Sequence, residues 1–255
     1  METRIERLSF ETDEGAGARA RLGLMVLESD QTMEDEFRYL ADIPGVATYH
    51  ARLACDVTVT PETLGKMEME LPKAAQLLPR YMRFKALGYG CTSASTIIGE
   101  NRVAEIIGES HPGVPSTNPL TAAKTALQAL GVARLGLLTP YRPDVTEAMQ
   151  AKFDAAGIAV AYVGSFYEES DEVVGRIDEA SILQATLAVG AQEDVDGVFI
   201  SCTSLRAAHI IEEAETQLGK PVTASNHAMA WHMLRLAGID DLMPGKGRLY
   251  SAQLP

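Results

Sequence analysis

Cysteine is scarce: Cys55, Cys91 and Cys202 are the only three, and no two of them have metal-ligand spacing. An odd and small number excludes a disulfide framework, so free thiols are expected. Long hydrophobic runs are missing as well. Nothing approaches the ~20 apolar residues of a membrane span, so no membrane-embedded protein is expected. Positive charge is in short supply, with 22 Lys and Arg against 35 Asp and Glu and a formal charge of −13. Phosphate backbones and anionic lipid both call for a basic surface, which excludes nucleic acid and membrane as expected partners. Residues 1–20 have neither the cationic start nor the apolar segment of a secretory signal and read as a flexible tail of a cytoplasmic protein. Gly88-x-Gly90 lacks the third glycine and distant acid of a dinucleotide fingerprint. His227 and His232 are off the i,i+4 spacing of a helical metal pair and read as structural, as does His209. These spacings support neither a metal site nor a nicotinamide cofactor.

What the chain does have is one stretch written twice. Gly90-Cys91-Thr92-Ser93-Ala94-Ser95 returns as Ser201-Cys202-Thr203-Ser204-Leu205-Arg206, each after a short apolar run. Both read as strand, cysteine, helix start. The surrounding pattern repeats too. Arg134-Leu135-Gly136-Leu137-Leu138 echoes Arg21-Leu22-Gly23-Leu24-Met25 at an offset of 113 residues, Cys202 follows Cys91 at 111, and Asn226 follows Asn118 at 108. A period near 110 residues is domain-sized, so a duplicated lobe is expected rather than a solenoid.

Strand-like runs are expected at 21–27, 46–54, 84–89, 134–138, 158–163 and 197–200. Helix-like segments alternate with them: one after Thr60-Pro61 interrupted near Pro72, and others at 93–108, 120–130, 143–156, 177–191 and 204–218. This alternation predicts an α/β fold of two pseudo-symmetric lobes, each a parallel sheet flanked by helices. The first lobe is assigned to 21–118, completed by 226–255, and the second to 119–225. Ligands of such sheets bind beyond the carboxyl ends of the strands, so both cysteines are expected to line one cleft.

Two thiols facing one small substrate suit reactions that gain a proton on one face and lose one on the other, as in racemisation or double-bond isomerisation. A helix start would make each thiol more acidic, and Cys91 is expected to react faster than Cys55, which is read as core. The hydroxyls of Thr92, Ser93, Thr203 and Ser204 could bind a carboxylate or simply cap helices. Asn118 joins this substrate-binding set. A protein that only closes its lobes on a small acid is the alternative from another class.

The repeated Cys-Thr-Ser segments, with Leu22-Gly23-Leu24-Met25-Val26 and Thr32-Met33-Glu34, resemble the maleate cis–trans isomerase branch of the aspartate/glutamate racemase superfamily. Within it, Ser29 to Phe37 is most similar to ectoine-utilisation proteins. The resemblance implies a cofactor-independent enzyme without metal. Cys91 would be the nucleophile that adds to a double bond and Cys202 the proton donor and acceptor. Tyr141 would hold a substrate carboxylate, or serve as a core aromatic. A racemase or an arylmalonate-type decarboxylase of the same superfamily is the runner-up; the resemblance implies that such decarboxylases use fewer thiols. Asp30 stands where the family carries Asn, and Ser170-Asp171-Glu172 is more acidic than the matching loop. Asp30 would suit an amino-acid-like substrate rather than a diacid, unless it caps the following helix. A small carboxylic acid or amino-acid-like substrate and a homo-oligomer are the partners expected.

Overall fold

The computed structural model describes residue 3 and residues 5–255. In chain order the first sheet's elements are β1 (Ala20–Leu27), α1 (Met33–Leu40), β2 (Val46–Leu53), α2 (Pro61–Leu77), β3 (Ala86–Gly90), α3 (Thr92–Ile98), α4 (Glu100–Ser110), β4 (Ser116–Thr117) and α5 (Pro119–Ala129). The second series is β5 (Arg134–Thr139), α6 (Pro143–Asp154), β6 (Ala159–Ser165), α7 (Asp171–Val174), α8 (Glu179–Gly190), β7 (Gly197–Ile200), α9 (Ile211–Leu218), β8 (Val222–Ala224) and α10 (Ser225–Leu236). Both sheets are parallel, with strand orders β2-β1-β3-β4 and β6-β5-β7-β8. The same order in each sheet is the three-dimensional form of the repeat.

The central strands are buried on both faces, which is why they read as continuous apolar runs rather than alternating ones. Leu22, Leu24, Met25 and Val26 of β1 and Leu135, Leu137 and Leu138 of β5 are all sealed from solvent. One core cluster runs through both sheets and includes Cys91 and Cys202; the other joins β1 and α1 to α10. Gly88 lets α10 lie directly on β3, because a Cβ there would run into Met229 and Met233. The C-terminal helix therefore covers a face of the first sheet. Parallel strands send all their carboxyl ends one way, so the loops after β1, β3, β5 and β7 gather at one seam.

Three expectations are corrected. α2 runs unbroken through Pro72, because Leu64, Met67, Leu71, Ala74 and Ala75 are all buried along one face. Their burial, worth roughly 1.5–3 kcal/mol for each large side chain, outweighs the ~3 kcal/mol that an interior proline costs. The helix expected over 93–108 is two helices, broken at Gly99, whose φ of 96° costs glycine little but strains other residues. The helix expected from Ser204 starts only at Ile211.

Candidate active site

The delayed start of α9 shapes the site. Backbone groups of 203–208 that a helix would have paired are instead held by side chains from elsewhere. The Thr32 hydroxyl donates to the Ser204 carbonyl at 2.8 Å, the Asn226 amide to the Thr203 carbonyl at 2.8 Å, and the Ala208 N–H donates to Glu36 at 2.7 Å. Cys202 thus sits in a turn rather than at a helix start. Its φ is 124°, a conformation costing of order 1–3 kcal/mol outside glycine, and its N–H donates to the Ser225 hydroxyl at 3.0 Å. Cys91 does cap a helix: the Ala94 N–H donates to its sulfur at 3.4 Å, and the Ser93 hydroxyl lies 3.6 Å from it. Ser225 ties the two copies together, since its hydroxyl also meets that of Thr92 at 2.8 Å.

Both thiols line one cavity of ≈ 20 Å³. Leu27, Val59, Leu64 and Met67 form an apolar wall, and Thr92, Ser93, Tyr141, Asp171 and Thr203 supply polar groups. The cavity is roofed by the loops after β2 and β6, which meet across the seam. Thr58 and Ser170 form an antiparallel bridge, with the Val59 N–H donating to the Glu169 carbonyl and the Asp171 N–H to the Val57 carbonyl, both at 3.2 Å. A larger surface hollow of ≈ 260 Å³ beside α6 shares Tyr141 but reaches neither thiol.

This enclosure overturns the expected acidity of the thiols. Burial pushes the Cys91 thiol up to about 12, against the lowering effect of the Ala94 N–H and the Ser93 hydroxyl. Cys202 is raised further still, first by burial and then by the Asp171 carboxylate, while the Ser204 N–H and the Tyr141 hydroxyl oppose the rise. Burial raises the Tyr141 hydroxyl well above its ordinary range too. The closed cleft thus favours the protonated form of both sulfurs.

Six of the sequence-derived candidates meet at this cavity: Cys91, Thr92, Ser93, Tyr141, Cys202 and Thr203. Three do not line it. Asp30 accepts from the N–H groups of Thr32 and Met33, both at 2.8 Å, and caps α1 from a buried position. Asn118 caps α5 by accepting from Leu120 and Thr121 at 3.1 and 3.0 Å, and it borders a separate hollow against Glu100. The Ser204 hydroxyl donates to Asp171 at 2.6 Å and so acts on the cavity only through that carboxylate. Sequence reasoning missed Ser29, Ser225 and the placement of Asp171. It also placed Cys55 in the core, whereas that thiol is only partly buried and lies 3.3 Å from the Ser29 hydroxyl. His227 and His232 are structural as read, bonded to Thr223 and Thr117 at 2.9 Å each.

Two parallel-sheet lobes of identical strand order, contributing one thiol each to a shared cavity, define a protein of the aspartate/glutamate racemase-like fold. Comparison with known proteins narrows the class. The family model "Arylmalonate decarboxylase" matches residues 86–250, and the chain belongs to that family. It is 36% identical over 140 residues to an arylmalonate decarboxylase of Bordetella bronchiseptica, a stretch covering 54% of this chain and 58% of that relative. It is 25% identical over 250 residues to a maleate isomerase of Alcaligenes faecalis, covering 92% and 98% of the two chains. Among solved structures it superposes with a TM-score of 0.83, at 25% identity and covering 91% and 98%, on a Nocardia farcinica maleate cis–trans isomerase. That protein is a cysteine-to-serine mutant carrying a covalently bound succinylcysteine intermediate. Homologues of this chain are therefore enzymes, and one of them works through a cysteine.

Proposed function

We propose that the protein is a cofactor-independent isomerase of the maleate isomerase kind, acting on a small carboxylic acid with Cys91 and Cys202 as its two working groups. The observation that carries this reading is the pair of thiols brought from equivalent positions of two lobes into one cavity. In the forward step the Cys91 thiol, having released its proton to water before the cleft closes on substrate, adds as thiolate to a substrate double bond, forming a C–S bond while the π electrons move toward the substrate carboxylate. The Cys202 thiol delivers its proton to the neighbouring carbon, leaving a single bond about which the adduct rotates. Cys202 then retrieves a proton from that carbon, the double bond re-forms in the other geometry, and Cys91 leaves as thiolate. In this reading the Ser93 and Thr203 hydroxyls and Tyr141, which line the cavity, would hold the carboxylate together with N–H groups at the start of α3 as charge builds on it.

Within this reading we place the enzyme in ectoine breakdown, on the resemblance of Ser29 to Phe37, and in the cytoplasm, where free thiols persist. A lobe at 21–118 completed by 226–255, facing one at 119–225, and a homo-oligomeric assembly belong to the same reading. Decarboxylation is the second reading, favoured by the family match and by the apolar wall of Leu27, Val59, Leu64 and Met67.

The cysteine variants test it. With maleate as first substrate, Cys202→Ser should lose turnover by 10³-fold or more, roughly what removal of an essential acid–base group costs, yet still accumulate an adduct on Cys91 by mass spectrometry. Cys91→Ser should lose both. Wild-type turnover in the double variant would discard the two-thiol reading, and carbon dioxide release from an arylmalonate without isomerisation of maleate would replace it by the decarboxylase one.

A further inference from the structure

We infer that Asp171 selects the substrate by charge, receiving a cationic nitrogen on a small carboxylic acid within the thiol cavity. The inference concerns which acid is taken and rests on the two-thiol reading for what is done to it. Asp171 is buried, lines the cavity beside both thiols, and accepts one hydroxyl on each oxygen, from Ser29 at 2.5 Å and Ser204 at 2.6 Å. A carboxylate has about four acceptor positions, so two remain for another donor. Among the described residues no lysine, arginine or histidine lines the cavity, and the other charged lining residue, Asp56, is also acidic. Among the described residues Asp171 has no ion-pair partner. Arg142 pairs with Glu169 and Asp144, and Arg206 donates to the Ile177 carbonyl while its buried Nε has no partner; neither pairs with Asp171.

A dicarboxylate entering this cavity would bring a second negative charge against a buried first one and find no side-chain cation to offset it. A substrate with one carboxylate and one ammonium group faces the opposite field. Its carboxylate is served by N–H and hydroxyl donors around Cys91, and its nitrogen by Asp171. The same contact would ease thiol ionisation, because the Asp171 charge that opposes both thiolates is neutralised when the cation binds. The expected place of charge selection thus moves from Asp30, which caps α1, to the loop after β6.

Charge selectivity of the thiols tests this without knowledge of the natural substrate. Rates of modification of Cys91 and Cys202 would be measured with 2-aminoethyl and 2-sulfonatoethyl methanethiosulfonate, a cation and an anion of similar size, in the full-length protein with peptide mass spectrometry as readout. The cation-to-anion ratio should fall about tenfold or more in Asp171→Asn, which keeps the shape and one of the two acceptor oxygens but loses the charge, and equally in Asp171→Ser. Protection of Cys91 against iodoacetamide gives the second readout: 4-aminobutyrate, with one carboxylate and one ammonium, should protect the wild type better than succinate, and Asp171→Asn should remove that preference. An unchanged ratio in both variants, or no advantage of 4-aminobutyrate over succinate in the wild type, would overturn the inference. A purely structural Asp171 would move neither readout. Because neither needs turnover, failure here is separate from failure of the cysteine variants.

Discussion

Asp30 and Glu36 are the residues whose burial has the clearest energetic consequence. Asp30 is raised from its ordinary value to about 6 by burial, against the N–H bonds of Met33 and Thr32 that favour its charge. One oxygen caps α1, while the other has no hydrogen-bond partner. Glu36 is raised to about 7 for the same reason, although Ala208 and Asn226 both donate to it. Groups with raised folded-state values favour the fold at low pH and withdraw that support as pH climbs through those values. For Asp30, a change from 3.8 to about 6 corresponds to roughly 3 kcal/mol lost between about pH 4 and pH 6. Asp30→Asn, which keeps a competent cap, should flatten that part of the stability profile and leave turnover intact. Urea denaturation of both proteins from pH 4 to pH 8 is the check. Parallel profiles would mean that Asp30 is not buried as a charge, and altered substrate preference would return it to the cleft. The sequence already offered the cap as one role for Asp30. It could not decide, because cap and ligand contact use the same residue type at the same place, and only the direction of the carboxylate separates them.

At the scale of elements, the repeated segments illustrate how local pattern and tertiary context part company. Cys91-Thr92-Ser93 and Cys202-Thr203-Ser204 share composition and both follow a buried strand, yet only the first opens a helix. The second is held open by Thr32, Glu36, Asn226 and Ser225, partners distant in sequence that no local reading reveals. Ser225 carries a particular load: its hydroxyl accepts from the strained Cys202 N–H and contacts Thr92, coupling the first cysteine's loop to the second's. Ser225→Ala would leave a buried N–H unpaired, at a cost of about 1–3 kcal/mol. It should also free Cys202 from its left-handed conformation, so kcat for whichever substrate is turned over should fall more than KM changes. A variant that loses stability alone, with kcat intact, would show that the bridge is only a strut. The strands themselves were legible, since buried parallel strands are continuous apolar runs. The offset of 113 residues was legible for the same reason, and those of 111 and 108 because Cys91/Cys202 and Asn118/Asn226 are distinctive residues just beyond strand ends. Helix ends were less so: the break at Gly99 depends on a backbone angle, and Pro72 is overridden by the buried face of α2.

For the molecule as a whole, the two lobes meet with their site shut. A cavity of ≈ 20 Å³ has room for about one water molecule, so even a four-carbon acid can enter only if the Thr58–Ser170 bridge parts and the seam opens. Closure raises the thiols, and an opening that admitted substrate would also return them to water, which ties substrate access to thiol ionisation. Cys55, partly exposed at the rim, lies outside this control. At neutral pH, without ligand, iodoacetamide should therefore modify Cys55 before Cys91, the reverse of the order expected from a helix-start thiolate. The Cys91 rate should keep climbing through pH 10, because the closed form titrates near 12. Hydrogen exchange supplies the link to the motion. The Val59 and Asp171 amides close the seam, and weakening their bonds by shortening the loop between β2 and α2 should speed exchange and Cys91 labelling by the same factor. If Cys91 instead reacts first, with a rate already level at pH 7, the free protein holds its thiolate in an open cleft, and binding rather than opening would have to close the lobes.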